Sequence, residues 1–394
     1  MNRLGDGYGE TLPMRFAPRQ GRYRVAAGVL TAVAALTVFA FRASDSMADF
    51  EVYWRGATRA AAGEPLYRAE DEHYRFKYFP AFAVLTIPVG LLPLPAAKAV
   101  WFTASTLLLA LLVRLSLDVL PERRRANAVL AVAAIAVLGK FYGHELILGQ
   151  VNVLFAILAV CALLEMKRGR ERVAGVFIAF TIAIKPYGVL FLPWLLARRK
   201  AASATAALLT LAVISALPLP LYGVEGTIAL YRDWWATVSG TTPSNLLNPD
   251  NVSFASAYAK WFGAGTAATS LALLTALIAL ASSGVMLVYR RGLTFPEALE
   301  GSVLLMLIPL LSPQGWDYVL LLATTAVVLL VNYLDRLPRA LQAAVVAAGL
   351  VMGLSVFDLI GRPAYARFLE MAVITVCASV LLVALYTLRA KRVA

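Results

Sequence analysis

The chain has 394 residues, 60% of them hydrophobic and only 15% charged, with a mean hydropathy of +0.74. Soluble domains carry about 25% charged residues, so a soluble globular enzyme is excluded. The formal charge of +13 does not indicate nucleic acid, because most basic residues sit in short clusters between apolar runs, as in a membrane protein that keeps its positive loops inside.

The apolar runs are continuous, rich in Leu, Ala and Val, and lack period-two alternation. They therefore predict an all-α polytopic membrane protein and not a barrel. Twelve crossings are expected, at 24–42, 96–118, 126–140, 150–166, 172–184, 186–197, 202–222, 266–289, 297–311, 317–334, 339–358 and 368–389. The fifth and sixth are short for a span of ~20 residues and read as broken or tilted helices meeting at Lys185-Pro186. Residues 1–23 form a cytoplasmic tail, and 24–394 form one transmembrane domain. No cleavable signal peptide is expected, since no small-residue cleavage site follows the first run. Cys161 and Cys377 both fall inside apolar runs, so neither a disulfide nor a metal site is expected.

With the N-terminus placed in the cytoplasm, 23 of the 36 Lys and Arg residues lie inside and both termini are cytoplasmic. Clusters such as Arg123-Arg124-Arg125 and Arg198-Arg199-Lys200 mark the inner turns. The segment from Phe79 to Pro95 is apolar but interrupted by Pro80, Pro88, Pro93 and Pro95. It is expected to be re-entrant or interfacial on the outer side, because a crossing would flip the basic loops that follow. Residues 43–95 and 223–265 are the two large outer loops, and function is sought there.

Four polar stretches face that side. Asp49 opens an amphipathic helix from Phe50 to Ala62, with Phe50, Tyr53, Trp54 and Ala57 on one apolar face, expected to lie on the membrane surface. Asp49 is either a helix cap or a functional carboxylate. Lys140, His144, Glu145, Gln150 and Asn152 gather where the third span ends and the fourth begins. They serve interhelical hydrogen bonds or line a sugar or phosphate site. Lys185, at the helix break, either snorkels or binds an anionic group. Trp316, Asp317 and Tyr318 follow Ser312-Pro313-Gln314-Gly315, and they start a helix with belt aromatics or bind sugar. The run Tyr74-Arg75-Phe76-Lys77-Tyr78-Phe79 is basic and aromatic, as an interfacial segment should be. Arg232-Asp233-Trp234-Trp235 binds carbohydrate or rests on lipid, and His73 reads as solvated. No metal-ligand spacing, phosphate-binding glycine loop or nucleophile elbow is present.

In this order, Asp49-Phe50-x-Val52-Tyr53-Trp54, Tyr78-x-Pro80 with Pro88, Gly149-Gln150-x-Asn152, Lys185-Pro186 and Ser312-Pro313-x-x-Trp316 resemble glycosyltransferase family 87, the polyprenyl-phosphate-mannose-dependent mannosyltransferases of the C-type fold. The resemblance implies a multi-span enzyme of about 12 helices whose first outer loop carries the catalytic carboxylate. It implies a polyprenyl-phosphate sugar donor, most often of mannose, and a glycolipid or glycan acceptor. Transfer would occur on the periplasmic or extracellular face of the plasma membrane, with inversion and without a metal or other cofactor. Asp49 matches the family's aspartate and Lys185 its lysine-proline step. One position departs from the pattern: histidine often follows the last motif's tryptophan, where this chain has Asp317 and Tyr318.

The expected mechanism is a single displacement. Asp49 takes the acceptor's proton. Lys185, Lys140 and His144 stabilise the departing lipid phosphate. Tyr53, Glu145, Gln150, Asn152, Trp316, Asp317 and Tyr318 orient sugar or acceptor. A lipid or glycolipid flippase, or an envelope-assembly scaffold, are the rival readings. Against the flippase, the two halves lack matching interruptions.

Overall fold

The computed structural model describes residues 39, 44–241 and 243–393. The N-terminal tail and, apart from Phe39, the expected first span lie outside the described residues. Those described form helices joined by turns, with no strand beyond one isolated bridge between Asn251 and Trp316.

Among the described residues, four helices are long and apolar enough to cross a membrane: Leu94–Asp118, Asn127–Leu148, Thr266–Arg290 and Val373–Ala390, with a fifth span if the bent pair that begins at Ala201 counts as one. At ~1.5 Å per residue, the longest of them exceed the ~30 Å hydrocarbon thickness. The other expected crossings are shorter, such as Glu171–Ile184 with 14 residues and Glu297–Leu311 with 15.

Several boundaries differ from expectation for identifiable reasons. The expected span 126–140 continues to Leu148. It stops at Gly149, whose left-handed backbone (φ 69°) lets the N–H groups of Gly149 and Gln150 turn back to Leu146 and Glu145. The expected span 202–222 breaks after Ser215, where Pro218 cannot supply a helical N–H. The last helix begins at Val373, after Ala372 in a left-handed conformation. Lys185 is extended (φ −142°, ψ 127°) between Ile184 and Pro186, so the break expected there is present.

The Glu297–Leu311 helix and the stretch from Asp317 to Leu330 are buried almost all round. A helix apolar on every side belongs in the middle of a bundle. By contrast, Thr266–Met286 exposes Leu273, Leu277 and Ile278, as a helix facing lipid does.

The apolar face of the amphipathic helix, Ala48–Ala61, packs against protein. Phe50, Tyr53 and Ala57 are buried against protein, with Phe50 and Tyr53 in ring contact with Trp101 and Tyr53 also with Phe82. The periodicity that would favour a lipid interface has been spent on a tertiary contact. Residues 79–95 form two short helices, Pro80–Leu85 and Ile87–Gly90, before the Leu94 helix begins. Segments of six and four residues cannot cross a bilayer. The expected loop 223–265 is largely helical, within Leu219–Thr241 and Phe254–Phe262.

The basic turns converge at one end. Arg124 pairs with Asp335, Lys167 donates to the carbonyls of Asp118 and Leu120, and Lys391 donates to that of Arg336. Arg198 pairs with Glu297 and Glu300, and Arg389 with Glu300. The polar stretches around Asp49, Gln150, Lys185 and Trp316 meet at the other end.

Candidate functional site

A cavity of about 470 Å³ opens where these stretches meet. Its walls come from seven separate segments, represented by Asp49, Lys77, His144, Lys185, Thr241, Asp250 and Trp316.

Asp49 lies in the first turn of the Ala48–Ala61 helix, where the dipole favours an anion. The cap position is Met47, in a left-handed conformation and without a side-chain cap hydrogen bond, so Asp49 is not the capping residue. One carboxylate oxygen instead accepts from the Gln150 amide at 2.7 Å. Burial pushes its pKa above the usual carboxylate range, against the opposing pull of the Gln150 hydrogen bond and the Lys185 charge.

The start of this helix is tied to the end of the Asn127–Leu148 helix. The Met47 N–H and the Ser46 hydroxyl both donate to the Ile147 carbonyl. Gly149 permits that approach: a Cβ there would stand 2.6 Å from Phe50 Cβ and 2.9 Å from Met47 Cε. Lys98 clamps the same strand of chain, pairing with Glu51 at 2.8 Å and donating to the Ser46 carbonyl at 2.8 Å.

Gln150 is the hub. Its amide donates to Asp49 and to the Tyr318 hydroxyl, and its oxygen accepts from Tyr53, Tyr78 and Lys185. Lys185 also donates to Asn152 Oδ1 at 2.7 Å. Burial raises the pKa of Tyr53 and Tyr78 well above that of free tyrosine, so both act as neutral hydroxyls.

The opposite wall is a turn locked to a loop. The N–H groups of Val252 and Asp317 donate to the carbonyls of Gly315 and Asp250, and the Asn251 amide donates to that of Pro313. Gly315 has no room for a side chain, since a Cβ would lie 1.9 Å from the Pro309 carbonyl oxygen. This lock presents Trp316, stacked with Tyr318 at 6.3 Å, to the cavity. Lys260 bonds the carbonyls of Pro249 and Asn251 and holds the loop from behind. Burial lowers its pKa to about 8.

Of the residues expected at the site, Asp49, His144, Gln150, Lys185, Trp316 and Tyr318 line the cavity. The others stand behind it. Tyr53 is buried and bonded to Gln150 and Tyr78. Glu145 is fully buried, and its oxygens accept from the Asn152 side chain and the Val153 N–H; it holds the start of the Asn152–Lys167 helix and has no face towards the cavity. Asn152 spends its amide between Glu145 and Lys185. Asp317 is 1% exposed and 2.8 Å from His144 Nδ1. Lys140 stands 4.0 Å from Asp317 and lies over the ring of Tyr365. These five are not among the residues that line the cavity.

Sequence reasoning missed Asp250, Tyr187 and Thr241, and it read Arg75 and Lys77 only as an interfacial segment; all five line the cavity. Burial raises the Asp250 pKa, with the nearby Asp317 charge adding to the effect. Nothing in the local pattern Asn248-Pro249-Asp250-Asn251 separates Asp250 from an ordinary turn residue. Among the described residues, no group of three or more His, Cys, Asp and Glu side chains converges as metal ligands do.

The profile of glycosyltransferase family 87 matches residues 76–313, more than half of the chain. The match includes the cavity segments from Lys77 to Ser312, while Asp49 and Trp316 lie outside it. No curated protein and no solved structure matches the chain.

Proposed function

The chain belongs to glycosyltransferase family 87, and from that premise we propose that it transfers a sugar, mannose in the first instance, from a polyprenyl-phosphate donor to a hydroxyl of a lipid-linked or envelope glycan. Asp49 is the general base. The observation that carries this reading is a partly exposed carboxylate, anchored by Gln150, in a cavity that also presents cations, aromatics, amides and a second carboxylate, Asp250. That lining suits a sugar bearing a phosphate.

The reaction is one displacement with inversion. The acceptor oxygen attacks the anomeric carbon while Asp49 Oδ takes its proton. The bond from the anomeric carbon to the phosphate oxygen breaks, and its electron pair leaves with the lipid phosphate. Phosphate needs no strong acid to depart, but the charge it gains must be stabilised. Lys185 and His144 face that space. Gln150, Trp316 and Tyr318 orient the sugar, with Tyr53, Glu145, Asn152, Asp317 and Lys140 holding them in place.

We place the cavity on the outer face of the cell membrane in a C-type fold of about twelve spans, with both termini cytoplasmic. The gathering of basic turns at the opposite end supports this orientation. Purified protein in lipid, given radiolabelled polyprenyl-phosphate-mannose and an envelope lipid extract, tests the reading. A new labelled glycolipid supports it. Label that moves between leaflets with no new bond would establish a flippase instead, and an inert protein would leave a scaffold.

A further inference from the structure

The cations around the cavity are not equally committed. Lys185 donates to Asn152 Oδ1 and Gln150 Oε1. Asp317 lies 2.8 Å from His144 and 4.0 Å from Lys140. Two other cavity-lining cations stand apart. No hydrogen bond or ion pair from a described residue engages the Lys77 ammonium. The Arg75 guanidinium donates only to the Ala69 carbonyl, and its Nε is buried without a partner among the described residues. A buried donor left unpaired costs free energy unless something else satisfies it.

The backbone carrying these two side chains is firmly held. Between them Phe76 turns inward and is 1% exposed, seated on Gly56, where a Cβ would come within 2.7 Å of its ring. The Lys77 carbonyl accepts from Trp234 Nε1, and the Tyr78 carbonyl accepts from the Tyr67 hydroxyl at 2.7 Å. Phe79 packs against Tyr231 and Trp234. In an extended segment, residues on either side of an inward one point the other way, which puts Arg75 and Lys77 on the cavity wall. Uncommitted positive charge on a fixed backbone is the arrangement that stabilises a developing anion without reorganisation.

We propose that Arg75 and Lys77 form the subsite for the phosphate of the lipid donor. The subsite rests on the glycosyltransferase reading and names the groups that receive the leaving group. As the glycosidic oxygen departs with its electron pair, the phosphodiester monoanion becomes a monoester dianion. Arg75, through its terminal nitrogens, and the Lys77 ammonium donate hydrogen bonds to the phosphate oxygens without giving up a proton. The acceptor's proton goes to Asp49. Lys185 adds its charge from the cavity wall while its hydrogen bonds hold Gln150 and Asn152 in place.

The test uses the full chain in phosphatidylcholine nanodiscs, with polyprenyl phosphate and polyprenol of equal length as probes in a binding titration. Wild-type protein is expected to prefer the phosphate. Lys77→Gln and Arg75→Gln are each expected to weaken polyprenyl phosphate binding at least tenfold and leave polyprenol binding unchanged. Lys77→Arg, which keeps a donor and a charge, should recover most of the loss. If Arg75→Gln fails to fold, Lys77→Gln decides alone. Two results would overturn the subsite and leave the glycosyltransferase reading intact: glutamine variants that bind polyprenyl phosphate like wild type, or phosphatidic acid that displaces it at equal concentration, which would assign the cations to a headgroup. A wild-type protein that binds both probes equally would remove both the subsite and the donor class.

Discussion

Gln150 donates its side-chain amide to the Asp49 carboxylate at 2.7 Å, joining residues 101 positions apart in the chain. The same side chain takes hydrogen bonds from Tyr53, Tyr78 and Lys185. Asp49 is therefore not a surface acid at a helix start. It is oriented by a network centred on the turn between the Asn127–Leu148 and Asn152–Lys167 helices, and it lines the cavity. Asp49→Asn should preserve this network, since an amide oxygen also accepts from Gln150, and should bind polyprenyl phosphate as wild type does. Sugar transfer should fall by roughly 10²- to 10⁴-fold, the range for loss of a general base. A variant with near-normal transfer would return Asp49 to a structural role.

The desolvation of Asp49 also sets a pH dependence. Its folded pKa is raised above the ordinary 3.8, so the acid limb of kcat/KM should have its midpoint above the usual carboxylate range, with activity rising as the group ionises. Stability runs the other way. A raised folded pKa means that the native state keeps a proton the unfolded chain has lost. The resulting stabilisation is complete below the unfolded pKa near 3.8 and is lost as pH rises through the folded value. Asp49→Asn should therefore melt higher than wild type at neutral pH, and the gap should close on acidification. Parallel thermal melts across pH 4 to 8 would expose a gap that does not change with pH, which would contradict the assignment.

Gly149 makes the meeting of Asp49 and Gln150 possible. Its backbone is left-handed, and a Cβ would collide with Phe50 and Met47. Gly149→Ala adds backbone strain of order 1 kcal/mol or more and pushes the Ala48–Ala61 helix off the end of its neighbour. Transfer should fall much further than stability, because a displacement of about 1 Å at a catalytic group is costly. Comparing kcat with the melting temperature separates the two effects; equal losses in both would mean the contact only holds the fold.

Much of this was legible from local pattern. The spans 96–118 and 266–289 stand almost as read because long apolar runs have few alternatives. Lys185-Pro186 breaks its helix because proline restricts the residue before it. The illegible parts depend on tertiary partners. Phe50, Tyr53 and Ala57 make the same stripe whether it meets lipid or protein. The segment Lys140 to Glu145 is polar enough to look like a loop, yet it stays helical because Asp317, Asn152 and Val153 satisfy His144 and Glu145. Asp250 enters the cavity only because its loop is zipped to Gly315 and Asp317, a pairing across more than sixty residues that no local spacing announces.

At the other end, Glu300 offers a prediction about stability without function. It is fully buried and accepts from Arg389, Arg198 and Trp194 Nε1. Arg389 is itself 1% exposed. Removing one partner of a buried ionic cluster leaves charges unpaired in a poorly solvated place, at a cost of about 3–5 kcal/mol. Glu300→Ala should lower the melting temperature by several degrees and reduce yield. Glu300→Gln keeps the acceptor for Trp194 but not the charge, and should fall between. Eleven residues separate Glu300 from Leu311 on the same helix, about 17 Å at the usual rise, so the cavity should be undisturbed. Transfer per folded molecule should match wild type when activity is normalised to the monodisperse fraction on gel filtration. A drop in kcat for that fraction would show that the Glu297–Leu311 helix transmits strain from the basic end to the Gly315–Trp316 turn, and would make the ionic cluster part of the working enzyme instead of its foundation.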